Sequence, residues 1–294
     1  MSVAAHEIEK TPEWYAYRKT MGNASEAAAV MGEGRFFPAT PYQLWQVKTG
    51  RAEVTETPAM TRGSRLEGAA RTFLEQRLDM VFEPRVLQYG GTISASLDGL
   101  TFDGETALEI KVPMKGRESD TWKHVEDNGT PPPYYHWQVQ QQLLCSGAKR
   151  AIFAVCEADG DEITDAITCE VLPDKEAHGK LGDAWDWFFD FIDADEAPPL
   201  TDRDVVERDD DEWQEAASRY RELKAAMADL QADLKAAEKR LKDLADGQSC
   251  KGAGVTVTRY WRQGNVDYKA VIPAGVDLEA HRKPGTWVHR IDAK

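Results

Sequence analysis

The hydrophobic and polar positions along the chain follow two periods, one typical of strands and one typical of helices. Residues 92–102 and 105–112 alternate apolar and polar side chains around Asp103-Gly104, which indicates a β-hairpin closed by a two-residue turn. Residues 62–78 place apolar side chains at helical spacing, whereas 114–129 is polar, turn-rich and predicted to be a loop. Further helices are predicted to start at 11, 23 and 134 and to span 185–192, and further strands to span 151–156 and 163–172.

The register of the predicted hairpin brings two acidic side chains together. Counting outwards from a two-residue turn sets Asp98 opposite Glu109 and Ser96 opposite Lys111, all on one face. Carboxylates whose Cβ atoms are roughly 5 Å apart repel each other unless a proton or a cation lies between them. Oxygen ligands without a nearby His or Cys favour magnesium or manganese over zinc. The alternative is a solvated hairpin whose exposed face carries charge and binds no metal.

Two other groups of polar residues are candidates for binding. Asn23 and Glu26 have capping-box spacing, so Ser25 lies in an exposed first helical turn where anions are attracted, and Arg18 can donate to the same phosphate. An exposed arginine and a capping serine are also common on ordinary surfaces. In the helix that starts near 134, a second group falls on one face, although a half-buried core helix also explains it; it consists of Tyr135, Gln138 and Gln142.

Composition narrows the class of protein. The chain has 294 residues, 41% hydrophobic and 30% charged, as expected of a soluble globular protein. No run approaches the roughly 18–20 apolar residues that a membrane-spanning helix needs, and no leader pattern is seen, so a cytoplasmic location is expected. The four cysteines lack CxxC spacing and are predicted to be reduced thiols.

The net charge of −15 is concentrated in one region of the chain. Residues 151–212 contain 21 Asp and Glu against 4 Lys and Arg, a net charge of −17, so the remaining residues together carry +2. An acidic region of this kind is typical of a solvated outer surface that faces away from a nucleic acid. The total charge therefore does not exclude a DNA-binding protein.

The carboxy-terminal third has a different pattern. Between 211 and 247 apolar residues recur every seven positions, which predicts one long helix of about 50 Å that pairs with another helix or packs on the core. Residues 255–262 indicate a strand within a small β-containing module. Aromatic and basic residues of that module are candidates for binding single-stranded DNA or a partner protein; they are Arg259, Tyr260, Trp261, Arg262, Lys269, Arg282 and Lys283. The predicted division is 1–200, 201–247 and 248–294.

Several motifs in combination resemble the lambda exonuclease family, the YqaJ-like viral recombinase nucleases, over about residues 11–195. These motifs are Trp14 with Arg18 and Ser25, Gly63 before Glu67 with Ala70-Arg71-Thr72, Ser96-x-Asp98-Gly99-Leu100, Leu108-Glu109-Ile110-Lys111 with Pro113, and Tyr135-x-x-Gln138-Val139-Gln140. The resemblance implies an α/β, restriction-endonuclease-like fold, a mixed sheet flanked by helices. It also implies a 5′-to-3′ exonuclease that acts on linear double-stranded DNA and leaves 3′ single-stranded tails.

The resemblance also implies roles for individual residues. Asp98, Glu109 and the carbonyl of Ile110 would hold Mg²⁺, for which Mn²⁺ can substitute, and Glu67 would complete the environment of a second ion. Lys111 would orient or activate the attacking water, and Gln138 would help to position it. A pocket for the terminal 5′-phosphate would contain Arg18, Ser25, Ser96 and Arg117. Tyr135 is a further DNA-binding candidate. Phe36-Phe37 is a candidate for the apolar wedge that splits the duplex.

Partners follow from the same resemblance. Linear duplex DNA is the expected substrate, and a single-strand annealing protein is a possible partner. Because the family member named above forms a ring of three subunits, the resemblance also implies that this chain is a homo-oligomer, a ring trimer. Two alternatives stay open. One is an endonuclease of the same fold, which would cut circular DNA. The other is a protein without catalytic activity that binds DNA ends or serves as a scaffold through the long helix.

Overall fold

The computed structural model describes residues 11–260, which fall into two compact units divided between Val205 and Val206. The described part of the first unit, residues 11–205, contains seven helices, which are α1 (Pro12–Thr20), α2 (Ala27–Val30), α3 (Pro41–Lys48), α4 (Pro58–Leu78), α5 (Asp120–Asn128), α6 (Pro133–Ser146) and α7 (Lys175–Ala194). Its strands are β1 (Gly22–Asn23), β2 (Glu83–Tyr89), β3 (Ile93–Leu100), β4 (Thr106–Lys111), β5 (Arg150–Asp159) and β6 (Glu162–Val171). Short 3-10 turns lie at Ala24–Glu26 and Gly116–Glu118.

The six strands of this unit form one mixed sheet. The strand order is β1-β3-β4-β5-β6, in which β1 and β4 pair with different parts of β3. Strand β2 lies outside this order and also pairs with β3. The pairs β1-β3 and β4-β5 are parallel, and the remaining pairs are antiparallel. Helix α4 packs on one face against β4, β5 and β6, while α5 and α6 cover the opposite face. The expected α/β sheet flanked by helices is confirmed.

The predicted hairpin forms with the predicted register but with a longer turn. Strand β3 pairs with β4 at Gly99 with Leu108 and at Leu100 with Ala107. The amide of Thr101 donates to the carbonyl of Thr106, so a four-residue loop from Phe102 to Glu105 replaces the expected two-residue turn. The register is the one predicted because the two extra loop residues, Phe102 and Glu105, come one from each strand.

The predicted loop over 114–129 is wrong, because most of that segment is helix α5. Ser119 caps its start by accepting from the amide of Trp122, and Gly129 ends it with a positive φ of 66°. Trp122 and Val125 are buried against the sheet. Two apolar side chains are too few to give a clear helical period, and their burial became evident only in the folded unit.

The second unit contains the long helix α8 (Asp211–Leu244) and a two-stranded antiparallel sheet of β7 (Cys250–Gly252) and β8 (Val255–Val257). The long predicted helix is confirmed. Strand β8 ends sooner than predicted, at Val257. The candidate residues Trp261, Arg262, Lys269, Arg282 and Lys283 lie outside the described residues.

Two further expectations concern membrane-spanning helices and the state of the cysteines. Within residues 11–260 no helix is long and apolar enough to cross a membrane. The four cysteines are free, as predicted, and Cys156 and Cys169 are buried.

Candidate active site

A cleft of about 1280 Å³ opens in the first unit where β3 and β4 meet α6 and the segment that follows α1. Ten of the eleven residues predicted for catalysis, metal binding or DNA-phosphate binding line it, and they are Arg18, Ser25, Glu67, Ser96, Asp98, Glu109, Ile110, Lys111, Tyr135 and Gln138. The fold thus brings together side chains that are separated by up to 120 positions in the sequence. The structure therefore brings most of the predicted site residues together in one cleft.

Glu109 lies at the base of this cleft and is buried, with only 2% of its surface exposed. Three side chains donate to its carboxylate. Gln138 donates to Oε1 at 2.7 Å, Gln142 donates to Oε2, and the ammonium of Lys111 pairs with Oε1. The row of glutamines on α6 therefore fixes the orientation of Glu109. Gln142 was recognised in the sequence as part of that row but not as a site residue.

Asp98 faces the same cleft across the hairpin. Its Oδ2 accepts from the backbone amide of Ile110 at 2.6 Å, a contact that ties the end of β3 to β4. Burial raises the pKa of Asp98 well above its usual value, and the nearby carboxylates of Glu109 and Glu67 raise this pKa further. The predicted proximity of Asp98 and Glu109 thus appears as an electrostatic conflict between them.

Glu67 reaches the cleft from α4 and is linked to Arg71 one turn later. The guanidinium of Arg71 donates to Oε1 of Glu67 at 2.8 Å and to the backbone carbonyl of Asp98 at 2.6 Å. Arg71 therefore connects α4 to β3 beside the acidic centre. Its position in the sequence indicated a family motif but not this bridging contact.

Lys111 ends strand β4, and its ammonium lies 4.6 Å from the centre of the Tyr135 ring. Burial lowers the pKa of Lys111, but the attraction of Glu109, with further contributions from Tyr135 and Asp98, outweighs burial and raises the pKa above its usual value. The side chain is therefore a cation that donates hydrogen bonds, with Gln138 Oε1 as a further acceptor at 3.3 Å.

The donor set of the cleft fits a hard divalent cation. Burial and then the neighbouring carboxylates raise the pKa of Asp98, and such a cation would offset both effects; carboxylate and carbonyl oxygens are its preferred ligands. In the part of the chain that the structure describes, no three His, Cys, Asp or Glu side chains lie close enough to share one ion. A metal here would therefore depend on Asp98, Glu109 and a backbone carbonyl, for which Ile110 remains the expected residue.

Arg18 and Ser25 lie at the mouth of the cleft, where the guanidinium of Arg18 donates to Ser25 Oγ at 2.8 Å. Buried hydrogen bonds and an ion pair stabilise the segment between Arg18 and Ser25. The predicted capping box of Asn23 and Glu26 is present, and the ammonium of Lys48 donates to the carbonyl of Arg18 while pairing with Glu26 at 2.7 Å. The side chain of Lys48 is only 3% exposed, so this support is buried and fixes the backbone that presents Arg18 and Ser25.

The expected four-residue phosphate pocket is only partly assembled. Ser96 lines the cleft and accepts from the indole of Trp14 at 3.4 Å. Arg117 does not line the cleft, because its guanidinium is held by Glu157 at 2.7 Å and by Asp165 on the neighbouring strands. The inclusion of Arg117 in the pocket is therefore not supported by its position in this structure.

A different arginine, which the sequence did not single out, lines the cleft. Arg35 lies 5.1 Å from the Tyr134 ring and pairs with Asp120 at 2.7 Å. The candidate wedge residues Phe36 and Phe37 follow it, line the same cleft and are exposed. An exposed Arg-Phe-Phe run beside the acidic centre is a surface on which bases and phosphates can be bound.

Comparison with known proteins agrees with this geometry. Residues 13–149, just under half of the chain, match the model of the YqaJ-like viral recombinase domain. Among solved structures, the alkaline exonuclease LHK-Exo from Laribacter hongkongensis is similar at 24% identity and a TM-score of 0.51, and the match covers 63% of this chain and 94% of that one. The structure of LHK-Exo in complex with dAMP matches at 25% identity, with the same TM-score and coverage.

No curated protein sequence shows significant similarity to the chain. The resemblance read from the sequence motifs is nevertheless confirmed, because the matched region contains the whole acidic centre from Glu67 to Gln138. Residues 13–149 of this chain are therefore similar to the YqaJ-like viral recombinase domain family.

Proposed function

We propose that this chain is a magnesium-dependent exonuclease that degrades one strand of linear double-stranded DNA from its 5′ end and leaves 3′ tails for phage-type recombination. The domain match and the alkaline exonuclease fold make it a nuclease enzyme of DNA recombination. The observation that carries the finer proposal is the location of the Asp98–Glu109–Lys111 centre and of the Arg18–Ser25 pair in one cleft.

The side chains of the cleft divide the work of phosphodiester hydrolysis. Glu109, held by Gln138 and Gln142, presents a fixed carboxylate at the base of the cleft. Lys111 donates to the attacking water or to a phosphate oxygen and adds positive charge where negative charge develops. Its raised pKa favours this donor role over proton removal.

Asp98, Glu109 and the carbonyl of Ile110 would hold the metal. When bound, Mg²⁺ lowers the pKa of a water molecule and neutralises charge on the leaving oxygen. The desolvated carboxylates of Asp98 and Glu109 gain a counter-charge in the same event. Manganese satisfies the same oxygen ligands.

The choice of end depends on the mouth of the cleft. Arg18 and Ser25 provide a guanidinium fork and a hydroxyl for a terminal phosphate, and Arg35 is a further cation that lines the cleft. A fork of this kind binds phosphate through two parallel hydrogen bonds. Recognition of a free 5′-phosphate gives the enzyme its polarity, and an annealing protein that covers the released 3′ tail is the partner that such a product calls for.

The test is nucleotide release from linear duplex DNA that carries either a 5′-phosphate or a 5′-hydroxyl, with Mg²⁺ or with a chelator. Each strand is labelled at one end, so that the order of release gives the polarity. The variants are Glu109→Ala, which removes the centre, and Arg18→Ala, which removes the fork. Lys149→Ala, an exposed change outside the cleft, is the matched control.

We expect release that needs Mg²⁺, is faster with a 5′-phosphate, is lost in Glu109→Ala and loses its phosphate preference in Arg18→Ala. Equal rates for both ends would contradict the end-recognition part of the proposal. Cutting of closed circular DNA would identify an endonuclease. Binding of ends without release under Mg²⁺ or Mn²⁺ would leave end binding as the function.

A further inference from the structure

Helix α8 has an apolar stripe that is largely exposed in the described part of the chain, with Tyr220 half-buried. No α8 residue is buried, and Leu230 and Leu234 expose 68% and 59% of their surface. The stripe repeats every seven residues, which is typical of a helix that pairs with another along its length. Its first core position is occupied by Trp213, Tyr220, Met227, Leu234 and Leu241, and its second by Ala216, Leu223, Leu230, Ala237 and Leu244.

The charges beside the stripe disfavour a parallel pair of identical α8 helices. In a parallel pair, the residue before each first core position faces the residue five positions later on the other helix. This rule sets Arg219 against Lys224 and Asp233 against Glu238, so both charged contacts bring like charges together. Such contacts destabilise the pair and select against this orientation.

An antiparallel pair of the same helices reverses the sign of these contacts. When Trp213 faces Ala237 of the second copy, the flanking positions place Arg219 against Asp233 and Glu212 against Arg240. The two-fold symmetry makes each attraction occur twice. Among the residues of α8 itself, these four attractions outnumber the one repulsion in this register, which lies between the two copies of Lys224.

The core of that register is also complementary in size. Small residues face large ones at both ends of the overlap, and medium-sized residues face each other near its centre. The facing pairs are Trp213 with Ala237, Ala216 with Leu234, Tyr220 with Leu230, and Leu223 with Met227. The fully overlapped antiparallel register, in which Trp213 faces Leu244, instead places Arg219 against Arg240 and is less favourable.

We propose that α8 docks antiparallel onto α8 of a second copy of this chain, in the register that sets Leu223 against Met227. Among the described residues, Arg219 makes one exposed ion pair, with Glu222 at 3.3 Å, which contributes little and does not oppose the docking. The partner is thus another copy of the same chain, recognised by apolar residues and opposite charges.

Cysteine pairs test the orientation in the full chain. Cys250 is exposed, so Cys250→Ser is introduced into every variant first. Under mild oxidation, neither Leu223→Cys nor Met227→Cys alone should form a disulfide-linked dimer, whereas an equal mixture of the two proteins should. Homodimers linked in each single variant would show a parallel pair and overturn the proposal.

Charge reversal tests the register, with sedimentation equilibrium as the measurement. Asp233→Arg should weaken the dimer about tenfold, because two attractions become repulsions, and Arg219→Asp in the same chain should restore it. In a parallel pair the first change would strengthen association, since the introduced arginine would then face Glu238. Met227→Glu should give a monomer, whereas Ala225→Glu, on the opposite face of the helix, should not.

A chain that stays monomeric at every attainable concentration, with no disulfide in the mixture, would overturn the proposal and show that the stripe is covered from within the same chain. Circular dichroism of each variant shows whether α8 still forms.

Discussion

At the scale of single residues, the site is organised around one buried carboxylate. Glu109 accepts from an ammonium and from two amides, so its position is fixed before any substrate binds. Side chains that hold a ligand of this kind typically change activity 10- to 100-fold when they are removed. The glutamines of α6 are therefore expected to matter for activity as well as the acidic residues that they contact.

Replacing Gln138 with leucine should lower the rate of nucleotide release about 10- to 100-fold, because Glu109 loses one donor and Lys111 loses one acceptor. Affinity for DNA should change little. Single-turnover release and equilibrium DNA binding measure the two effects separately. Gln88→Leu removes an exposed amide from β2 and should leave both unchanged; an unaltered rate in Gln138→Leu would contradict the assigned role.

Asp98 should make the stability of the metal-free protein depend on pH. Its pKa is raised in the folded state, by burial and by the carboxylates of Glu109 and Glu67, above the ordinary value of 3.8. The folded state therefore holds its proton at pH values where the unfolded state has lost it, and the free energy of unfolding falls as pH rises through this window.

Asp98→Asn removes this contribution, so the variant should be increasingly more stable than the original protein as pH rises above about 4. Urea unfolding in the presence of a chelator measures the difference. Added Mg²⁺ should stabilise the original protein more than the variant. Parallel pH profiles for the two proteins would show that Asp98 is not under this strain.

At the scale of elements, the sequence was most informative where one local rule decided the outcome. The Asp103-Gly104 signal located the hairpin, and counting outwards from this turn gave the register, although the loop contains four residues. The capping box at Asn23 and Glu26 was equally local and is present. Such features depend on residues that are close together in the sequence, so they can be predicted from it.

Features that depend on distant contacts could not be predicted in the same way. The departure of Arg117 from the expected phosphate pocket follows from Glu157 and Asp165, which lie 40 and 48 positions later. Arg35 entered the cleft because its loop folds beside Asp120, 85 positions away. No period or motif near either arginine records these partners.

Gly99 illustrates a distant requirement of this kind inside a recognised motif. A Cβ at this position would lie 2.6 Å from the Cβ of Phe82, which packs against the strand next to Asp98. Gly99→Ala should therefore destabilise the core by about 1–3 kcal/mol. Gly68→Ala, where a Cβ meets nothing on α4, should instead stabilise by up to about 1 kcal/mol.

Thermal and urea unfolding of both glycine variants measure these effects. Activity of Gly99→Ala should fall together with its stability, because the same clash displaces the strand that carries Asp98. A Gly99→Ala protein as stable as the original would show that Phe82 can move aside.

At the scale of the whole molecule, the chain separates the acidic centre from the apolar helix. Every cleft residue discussed above lies between 18 and 138, within the first compact unit, whereas α8 belongs to the second. A chain that ends at Val205 should therefore keep metal-dependent nucleotide release and lose the association through α8.

Nucleotide release and sedimentation of this shortened chain, with Glu109→Ala as its inactive control, measure the two properties. A folded but inactive product would show that residues 206–294 contribute to the reaction. A shortened chain that associates as the full chain does would show that its self-association resides in the core.

The contact between Lys111 and Glu109 has a consequence for how such an enzyme is switched on. The same oxygen of Glu109 that accepts from Gln138 also pairs with the lysine ammonium, so a divalent ion approaching that oxygen must compete with a charge already present. Arrival of the ion and release of the lysine would then be one exchange. Under the proposed function, the lysine would neutralise its own carboxylate without the ion, and the group that guides the water would stay engaged until the cofactor arrived.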